Sequence, residues 1–479
     1  MATSNDRQGA SRAPETKPER RGVMQSFTTW CVRYVERLMP DPYLFAVILT
    51  LIVAGLVAFL VHGATASGML KAWYGGVWGS QNIFTFAFQM VLILVTGYTL
   101  AEAPILKRAI IHIASKPSNQ VQGALLCFGV SAVLSLLNWG LGLVAGALVA
   151  RQVAKRFTEA HFGYLIAAAF MGFIVWTQGL SSSIALANTD SSSPINVIHK
   201  LTGITVPLSQ TIFQPYSWIS AIAVLALLAL AIWRMAPTQS LAPDPAAFED
   251  EVPPPARPAA DKKTFAEWLE NLWILNVLVF AGGMAYFVLS GFALNISSMI
   301  MLFTITSALL HRTPIRFIRA FTGAAKVSGP LLLQYPLYGG LVGLLGYQAT
   351  KADKPLQTLL AQAVVTGATE HTLPFLTFIG SLIISLFVPS GGGHWAVQGP
   401  IAVDSALAIG HHSPAYLGLI SMAVAVGEGV ANMIQPFWLL PLLAIAKLNV
   451  RQVMGFTVVA FLIGVVVLGA TTLLAPYVI

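Results

Sequence analysis

Charge is scarce in this chain: Asp, Glu, Lys and Arg make up only 10% of its 479 residues, against roughly a quarter in ordinary soluble domains. So few charged groups cannot cover a water-facing surface, which excludes a soluble globular domain. Cysteine is nearly missing as well. Cys31 precedes the first apolar run and Cys127 lies inside one, so neither a disulfide framework nor a cysteine-based metal site is indicated, and no cofactor or metal is read from the sequence. No apolar stretch precedes Tyr43, so a cleavable signal peptide is not evident. That region is instead a polar arm with Arg7, Arg12, Lys17, Arg20, Arg21, Arg33 and Arg37, expected in the cytoplasm.

What the chain has in abundance is apolar sequence: 56% hydrophobic residues and a mean hydropathy of +0.73. Runs at 44–61, 84–100, 219–233, 273–289 and 453–474 approach or exceed the roughly 18–20 residues that cross a bilayer as helix. Hydrocarbon offers no hydrogen-bond partners to a backbone, so the spans must be helical. The expected fold is an all-α polytopic membrane protein in the lipid bilayer, with an inverted structural repeat, about nine transmembrane helices and two re-entrant hairpins. The net charge of +8 does not point to nucleic acid, because the basic residues form short clusters between apolar runs. They gather in the arm, at 107–116, 151–156, 234–263, 312–326 and 447–451, leaving only Lys71, Lys200, Lys351 and Lys354 elsewhere. Under the positive-inside rule the N-terminus is cytoplasmic and the protein is multi-pass in a bacterial inner membrane.

Residues 120–150 are apolar yet basic on both flanks. A re-entrant hairpin with its tip at Asn138-Trp139-Gly140-Leu141-Gly142 satisfies this, although two short spans, or one span with an accidental basic flank, would too. A second hairpin at 371–404, with poorly basic flanks and the tip Val388-Pro389-Ser390-Gly391-Gly392-Gly393-His394-Trp395, should open on the other side. Glycines at the tips permit a tight reversal, and Gly392 is expected at positive φ. Asn138 precedes Tyr164 by the interval that separates Ser390 from Tyr416, so the halves look related. The chain then divides into a polar arm (1–40), a first repeat (41–235), a proline-rich linker (236–270) and an extra helix with the second repeat (271–479).

Polar residues at membrane depth need a reason, since a charge there costs about 2.5–3.5 kcal/mol on insertion scales. They cluster at the two tips, at Thr177-Gln178-Gly179-Leu180-Ser181-Ser182-Ser183, and at Gly427-Glu428-Gly429 running on to Asn432 and Gln435-Pro436. Two glycines and a proline should unwind the helix near Glu428. Exposed half-helix N-termini would then hold a small carboxylate without lysine or arginine. The candidate substrate contacts are Asn138, Trp139, Gly140, Gly142, Gln178, Ser181, Ser182, Ser390, Gly391, Gly392, Gly393, His394, Trp395 and Asn432. Glu428 and His394 are the candidate groups for a coupling proton or sodium. The alternatives are that Glu428 is a satisfied structural carboxylate, that His394 donates to a carbonyl, and that Gln89 and Gln334 are helix glue. A hydrolytic set of Ser390, His394 and Glu428 and a passive channel are further readings. Nothing fixes the oligomeric state, and a homodimer is compatible.

Several stretches carry a resemblance: Leu38-Met39-Pro40-Asp41-Pro42, Gln89-Met90 with Val95-Thr96-Gly97, Asn138 to Val144, Val388 to Trp395 with Gln398-Gly399-Pro400, and Asn432-Met433 with Gln435-Pro436-Phe437-Trp438. In these the chain resembles the bacterial short-chain fatty acid transporters typified by the acetoacetate/butyrate permease, within the broad ion-transporter superfamily. The resemblance implies transport of a short-chain fatty acid anion, a fold with paired hairpins, an elevator-like movement and no catalytic residue. The long polar arm and the serine-rich 179–183 depart from the family pattern. A dicarboxylate or citrate carrier is the nearest rival, and the lack of intramembrane arginine argues against it.

Overall fold

A computed structural model describes residues 42–79, 84–193, 195–242, 264–365, 367–387 and 391–479. The arm at 1–40, most of the proline-rich linker and Ser390 lie outside the described residues. The described elements are helices, with a single backbone bridge between His161 and Leu241 and no strand among them. Among the described residues five helical stretches are long and apolar enough to cross a membrane, and a sixth is counted if Ala87–Ala101 and Pro104–Ala114, bent by 69°, form one span. Further apolar helices, such as Trp273–Leu289 and Ile296–His311, are shorter.

The first hairpin consists of Gln120–Leu137 and Trp139–Arg156, with Asn138 alone between them. This single extended residue (φ −154°, ψ 121°) ends one helix and caps the next, its Oδ1 accepting from the Leu141 N–H at 2.8 Å. An asparagine can do this because its short amide replaces the missing backbone acceptor. The second arm runs on to Arg156, past the expected limit at residue 150. Both open ends lie together: Gln120 donates to the Pro237 carbonyl (2.9 Å) and accepts from the His161 N–H (3.2 Å), while Arg156 reaches the Ser115 carbonyl.

The second hairpin consists of Leu373–Phe387 and Gly391–Ala408. Gln398 in the second arm donates to the Thr377 carbonyl in the first at 2.8 Å. Its open ends meet at Glu370, whose carboxylate lies 2.8 Å from His411 Nε2 and whose carbonyl accepts from the Tyr416 hydroxyl at 2.6 Å. Gly391, Gly392 and Gly393 already belong to the second arm. None of the five tip glycines has positive φ, which corrects the sequence expectation. They serve close approach instead. A Cβ on Gly140 would sit 2.9 Å from the Ile93 carbonyl oxygen, and one on Gly97, facing the tip, 2.6 Å from the Leu141 nitrogen.

The straight helical stretch Arg451–Tyr477 relates the two hairpins. It has 27 residues, roughly 40 Å at 1.5 Å per residue. Near its start Phe456 packs on His161 (ring centroids 5.4 Å apart), beside the open end of the first hairpin. At its far end Tyr477 stacks on His371 at 4.3 Å, beside the open end of the second. The hairpins therefore open toward opposite ends of the molecule.

This geometry predicts a labelling pattern. In a cysteine-free background, single cysteines at Ser118 and Thr158 should react with an impermeant maleimide from one membrane face, and one at His412 from the other. Reaction of the Ser118 and Thr158 positions from different faces would refute the shared open end.

Candidate functional site

Two interrupted spans run beside the tips. In Phe162–Asn188 the α-helix gives way to a 3-10 turn at Phe173–Gln178 and resumes at Ser183. Gly179 lets the break pack against the first hairpin, because a Cβ there would lie 2.6 Å from Leu136 Cα. Ser181 then ties the break to the first tip, its hydroxyl accepting from the Trp139 N–H at 2.7 Å. Ser182 caps the short helix that follows, accepting from the Ala185 N–H at 3.4 Å. The third serine, Ser183, is buried and its hydroxyl has no partner.

In the second interrupted span the helix Pro414–Ala431 passes unbroken through Gly427, Glu428 and Gly429. The expected unwinding at Glu428 is thus corrected: the break comes later, with a 3-10 turn at Asn432–Ile434 and an extended Gln435 ahead of Pro436. The physical cause is that proline disfavours α-conformation in the residue before it, whereas glycine merely permits departure from the helix. Here both glycines are needed for packing. A Cβ on Gly427 would strike Ser381 Cβ at 2.5 Å, and one on Gly429 would come within 3.0 Å of the Ile174 carbonyl oxygen.

These elements converge at Gly391, the first described residue of the second tip. A Cβ there would lie 3.0 Å from Trp176 Cη2, 3.3 Å from Glu428 Oε2 and closer still to Ser183 Oγ. Glu428 is fully buried, and neither carboxyl oxygen has a hydrogen-bond partner. Its one titratable neighbour among the described ion pairs is His394, with Nδ1 4.0 Å from Oε2. Gln398 donates through Nε2 to the Thr377 carbonyl, so its Oε1, 2.6 Å from His394 Nε2, accepts from that nitrogen. A neutral His394 therefore carries its proton on Nε2 and turns the bare Nδ1 toward Glu428. Beside this pair stands an aromatic group. Trp176 stacks on Phe173 (5.7 Å, 9°) and lies 6.0 Å from Trp438, which meets Trp139 of the first tip edge-on at 5.1 Å. The indole N–H groups of Trp176 and Trp438 are buried without a partner.

The structure sorts the residues singled out in the sequence. Gly391, His394 and Glu428 meet directly. Asn432 donates to the Glu428 carbonyl at 2.9 Å and leaves its Oδ1 open. Asn138, Trp139 and Ser181 form the junction of the first tip, joined to the rest through Trp438. Gly140 and Gly142 serve packing between helices, and Gly392 and Gly393 are buried in the first turn of the second arm. Gln178 turns away to Ser217 and Ser220 (2.7 and 2.8 Å). Trp395 turns away too, donating to Asn188 Oδ1 at 3.2 Å. Gln89 donates to Ser297 on a neighbouring helix (3.4 Å), whereas Gln334 accepts from Tyr338 one turn along its own helix (3.2 Å). Three residues were missed: Trp176, Ser183 and Trp438. The signal for Ser183 was present, because a serine run that starts a helix uses one hydroxyl as cap and leaves the next one free.

The chain can now be set beside known proteins. The profile of a family described as "Short chain fatty acid transporter" matches residues 23–474. A protein of Escherichia coli (strain K12) named "Putative short-chain fatty acid transporter" is 35% identical over 442 residues, covering 90% of this chain and 95% of its own. A Haemophilus influenzae protein with the same name is 34% identical over 447 residues, with the same coverage. Among solved structures, the Alcanivorax borkumensis YdaH transporter has 18% identity and a TM-score of 0.47, covering 90% of this chain and 98% of that one. Neisseria gonorrhoeae MtrF, described with a class of antimetabolite efflux pumps, has 15% identity and a TM-score of 0.48, with 94% and 98% coverage. At those scores neither likeness fixes a fold or an activity.

The contact at Gly391 gives a direct test. Gly391→Ala places a methyl group against Ser183, Trp176 and Glu428, and overpacking of this kind costs about 1–3 kcal/mol. Transport should fall by roughly tenfold or more, while Gly55→Ala, with nothing within 4 Å of its added methyl, should match wild type. Wild-type transport by the Gly391 variant would show that the tip does not pack against Glu428.

Proposed function

The chain belongs to the short-chain fatty acid transporter family and is a multi-pass membrane transporter, not an enzyme; on that premise we propose that it moves short monocarboxylates such as acetoacetate or butyrate across the bacterial inner membrane in symport with a proton, by an elevator-like movement. The observation that carries this reading is the unpartnered carboxyl of Glu428, enclosed between the second tip and the first interrupted span, 4.0 Å from the bare nitrogen of His394. A lone carboxylate at this depth is costly. No lysine or arginine pairs with it among the described residues, so neutralisation must come from solution.

The bare imidazole nitrogen of His394, 4.0 Å from the Glu428 carboxyl, supports a proton as the coupling ion, since both groups can take one up. One anion bound together with one proton leaves the charge of the site unchanged, so loaded and empty forms cross with equal charge. Monocarboxylates fit this arithmetic. The second carboxylate of a dicarboxylate or citrate would find no cation. Both second hairpin arms begin at the tips, so their N-terminal ends bring partial positive charge to the anion.

An inverted repeat would supply the two-sided access that transport needs. The opposed open ends of the hairpins favour it, and so does local detail. Tyr164 and Tyr416 occupy the same place in their helices, each donating its N–H to a capping side chain, His161 at 3.1 Å and Ser413 at 3.2 Å. We place the N-terminus and the open end of the first hairpin in the cytoplasm, following the basic residues. Exposed apolar side chains on Trp273–Leu289, such as Leu278 and Tyr286, suit contact with lipid or with a second copy in a homodimer.

Uptake of labelled butyrate into proteoliposomes tests the reading. An imposed inward proton gradient should drive accumulation, and Glu428→Gln should reduce accumulation to background while preserving counterflow exchange. Accumulation driven by a sodium gradient at clamped pH, or an unaltered pH profile in the variant, would overturn proton coupling. Preferred exchange of succinate over butyrate would overturn the substrate class.

A further inference from the structure

His394 is gripped by both arms of its own hairpin. Gln398, one turn along the second arm, places Oε1 2.6 Å from His394 Nε2 and donates through its own Nε2 to the Thr377 carbonyl of the first arm at 2.8 Å. A carbonyl only accepts, so this anchor fixes which way the amide faces. Ser381 stands 3.4 Å from the same imidazole nitrogen, and its proton is given to the Val424 carbonyl at 2.7 Å. Both neighbours of Nε2 have therefore committed their protons elsewhere and can only accept from it. Thr377, Ser381, His394 and Gln398 are all buried, so bulk water does not compete for these bonds.

On the other side of the ring, Nδ1 and Glu428 Oε2 are 4.0 Å apart, and neither has a hydrogen-bond partner among the described residues. A hydrogen bond between such atoms spans about 2.7–3.2 Å, so one proton placed between them would draw them together by about 1 Å. His394 lies in the first turn of the second arm, directly after the tip, and that movement passes to the tip. Other ionisable groups on the elements packed around the pair are few. Tyr335 and Tyr338 on Gly329–Leu345 are phenols, neutral at ordinary pH. His199 and Lys200 belong to Val197–Thr202, which meets the second arm at Gly399, and Arg451 begins the helix whose Gly464 touches Val430. Asp404 is exposed, near the far end of the second arm.

We propose that Gln398 is a positioning residue for proton coupling: by keeping the proton of neutral His394 on Nε2 it leaves Nδ1 bare, and the coupling proton binds between Nδ1 and Glu428 Oε2 and draws the second tip onto the carboxyl. This rests on the proton-symport reading above and adds to it where the proton sits and what holds the receiving atom ready. The pair takes one proton from solution and passes from one negative charge to none, with no other bond made or broken. Without an acceptor fixed at Nε2, neutral His394 could carry its proton on Nδ1 instead. That proton would satisfy the Glu428 carboxylate with nothing taken from solution, and the demand for a coupling proton would weaken.

The test joins the pH profile of proton-driven butyrate uptake in proteoliposomes to nitrogen-15 spectra of the histidine-labelled protein in bilayers. On the alkaline side of the wild-type uptake midpoint the His394 signal, assigned by its loss in His394→Asn, should show a protonated Nε2 and a bare Nδ1. Gln398→Met should require about tenfold more protons for half-maximal uptake, the worth of one charge-assisted hydrogen bond. At that lower pH its maximal rate should recover, which a packing defect would not allow, and the His394 proton should appear on Nδ1. A wild-type signal with its proton on Nδ1, or a Gln398→Met profile unshifted along the pH axis, would overturn the positioning role and leave proton symport standing. Wild-type uptake that no proton gradient drives would overturn proton symport itself.

Discussion

A carboxyl group with no partner, held in the middle of an apolar protein, is the constraint around which this structure is arranged. Glu428 accepts no hydrogen bond and faces no cation among the described residues, and such a group is unfavourable unless its charge is compensated at some stage of the working cycle. Its surroundings are otherwise well satisfied. Ser381 donates to the Val424 carbonyl at 2.7 Å, Gln398 bridges the arms of the second hairpin, and Asn432 holds the Glu428 carbonyl. Three further open polar atoms belong to residues beside the carboxyl, His394 Nδ1, Asn432 Oδ1 and Ser183 Oγ, while other open atoms lie elsewhere among the described residues. Isolated orphans would be a packing defect, but a group of them beside a buried carboxyl has the composition of a site.

The interruptions that expose this site obey a common rule. Hydrocarbon forgives no unpaired backbone, so a helix is broken here only where another element supplies the missing bond. Asn138 and Ser181 replace the lost acceptors at the first tip, and Ser182 does so at the first interrupted span. Glycine has a separate task. At Gly97, Gly140, Gly179, Gly391 and Gly427 the missing Cβ lets two elements approach more closely than any side chain would allow, the role small residues commonly play in helix packing within membranes.

That division of labour explains what the sequence disclosed and what it withheld. The break between the two arms of the first hairpin was legible because Asn138 sits where a tip needs a cap. The general location of the site was legible too, since serines, a glutamate and a histidine inside apolar runs are conspicuous. The direction of each side chain was not. Gln178 and Ser183 belong to one polar stretch, yet one bonds to Ser217 and Ser220 and the other faces Glu428. Which of them turns inward depends on the helical phase after the break, and local composition does not carry that phase. Reading Gly427 and Gly429 as helix breakers failed for a related reason: glycine in a sequence cannot announce whether its freedom or its smallness is in use. Pro436 was the safer signal, because its effect on the preceding residue is steric and local.

The two interrupted spans differ in chemistry. The first interrupted span brings hydroxyl groups and, through Trp176, an indole. The second brings the carboxyl of Glu428 and, through its hairpin, the imidazole of His394. Hydroxyl and indole groups keep their charge state at any ordinary pH, whereas carboxyl and imidazole can change theirs. In the proposed mechanism this separates anion recognition in one repeat from proton exchange in the other, and the two meet at Gly391. Coupling then requires no relay through the protein. Under that proposal Glu428 and Ser183 approach each other across a residue that has no side chain, so occupancy of one would be felt at once by the other.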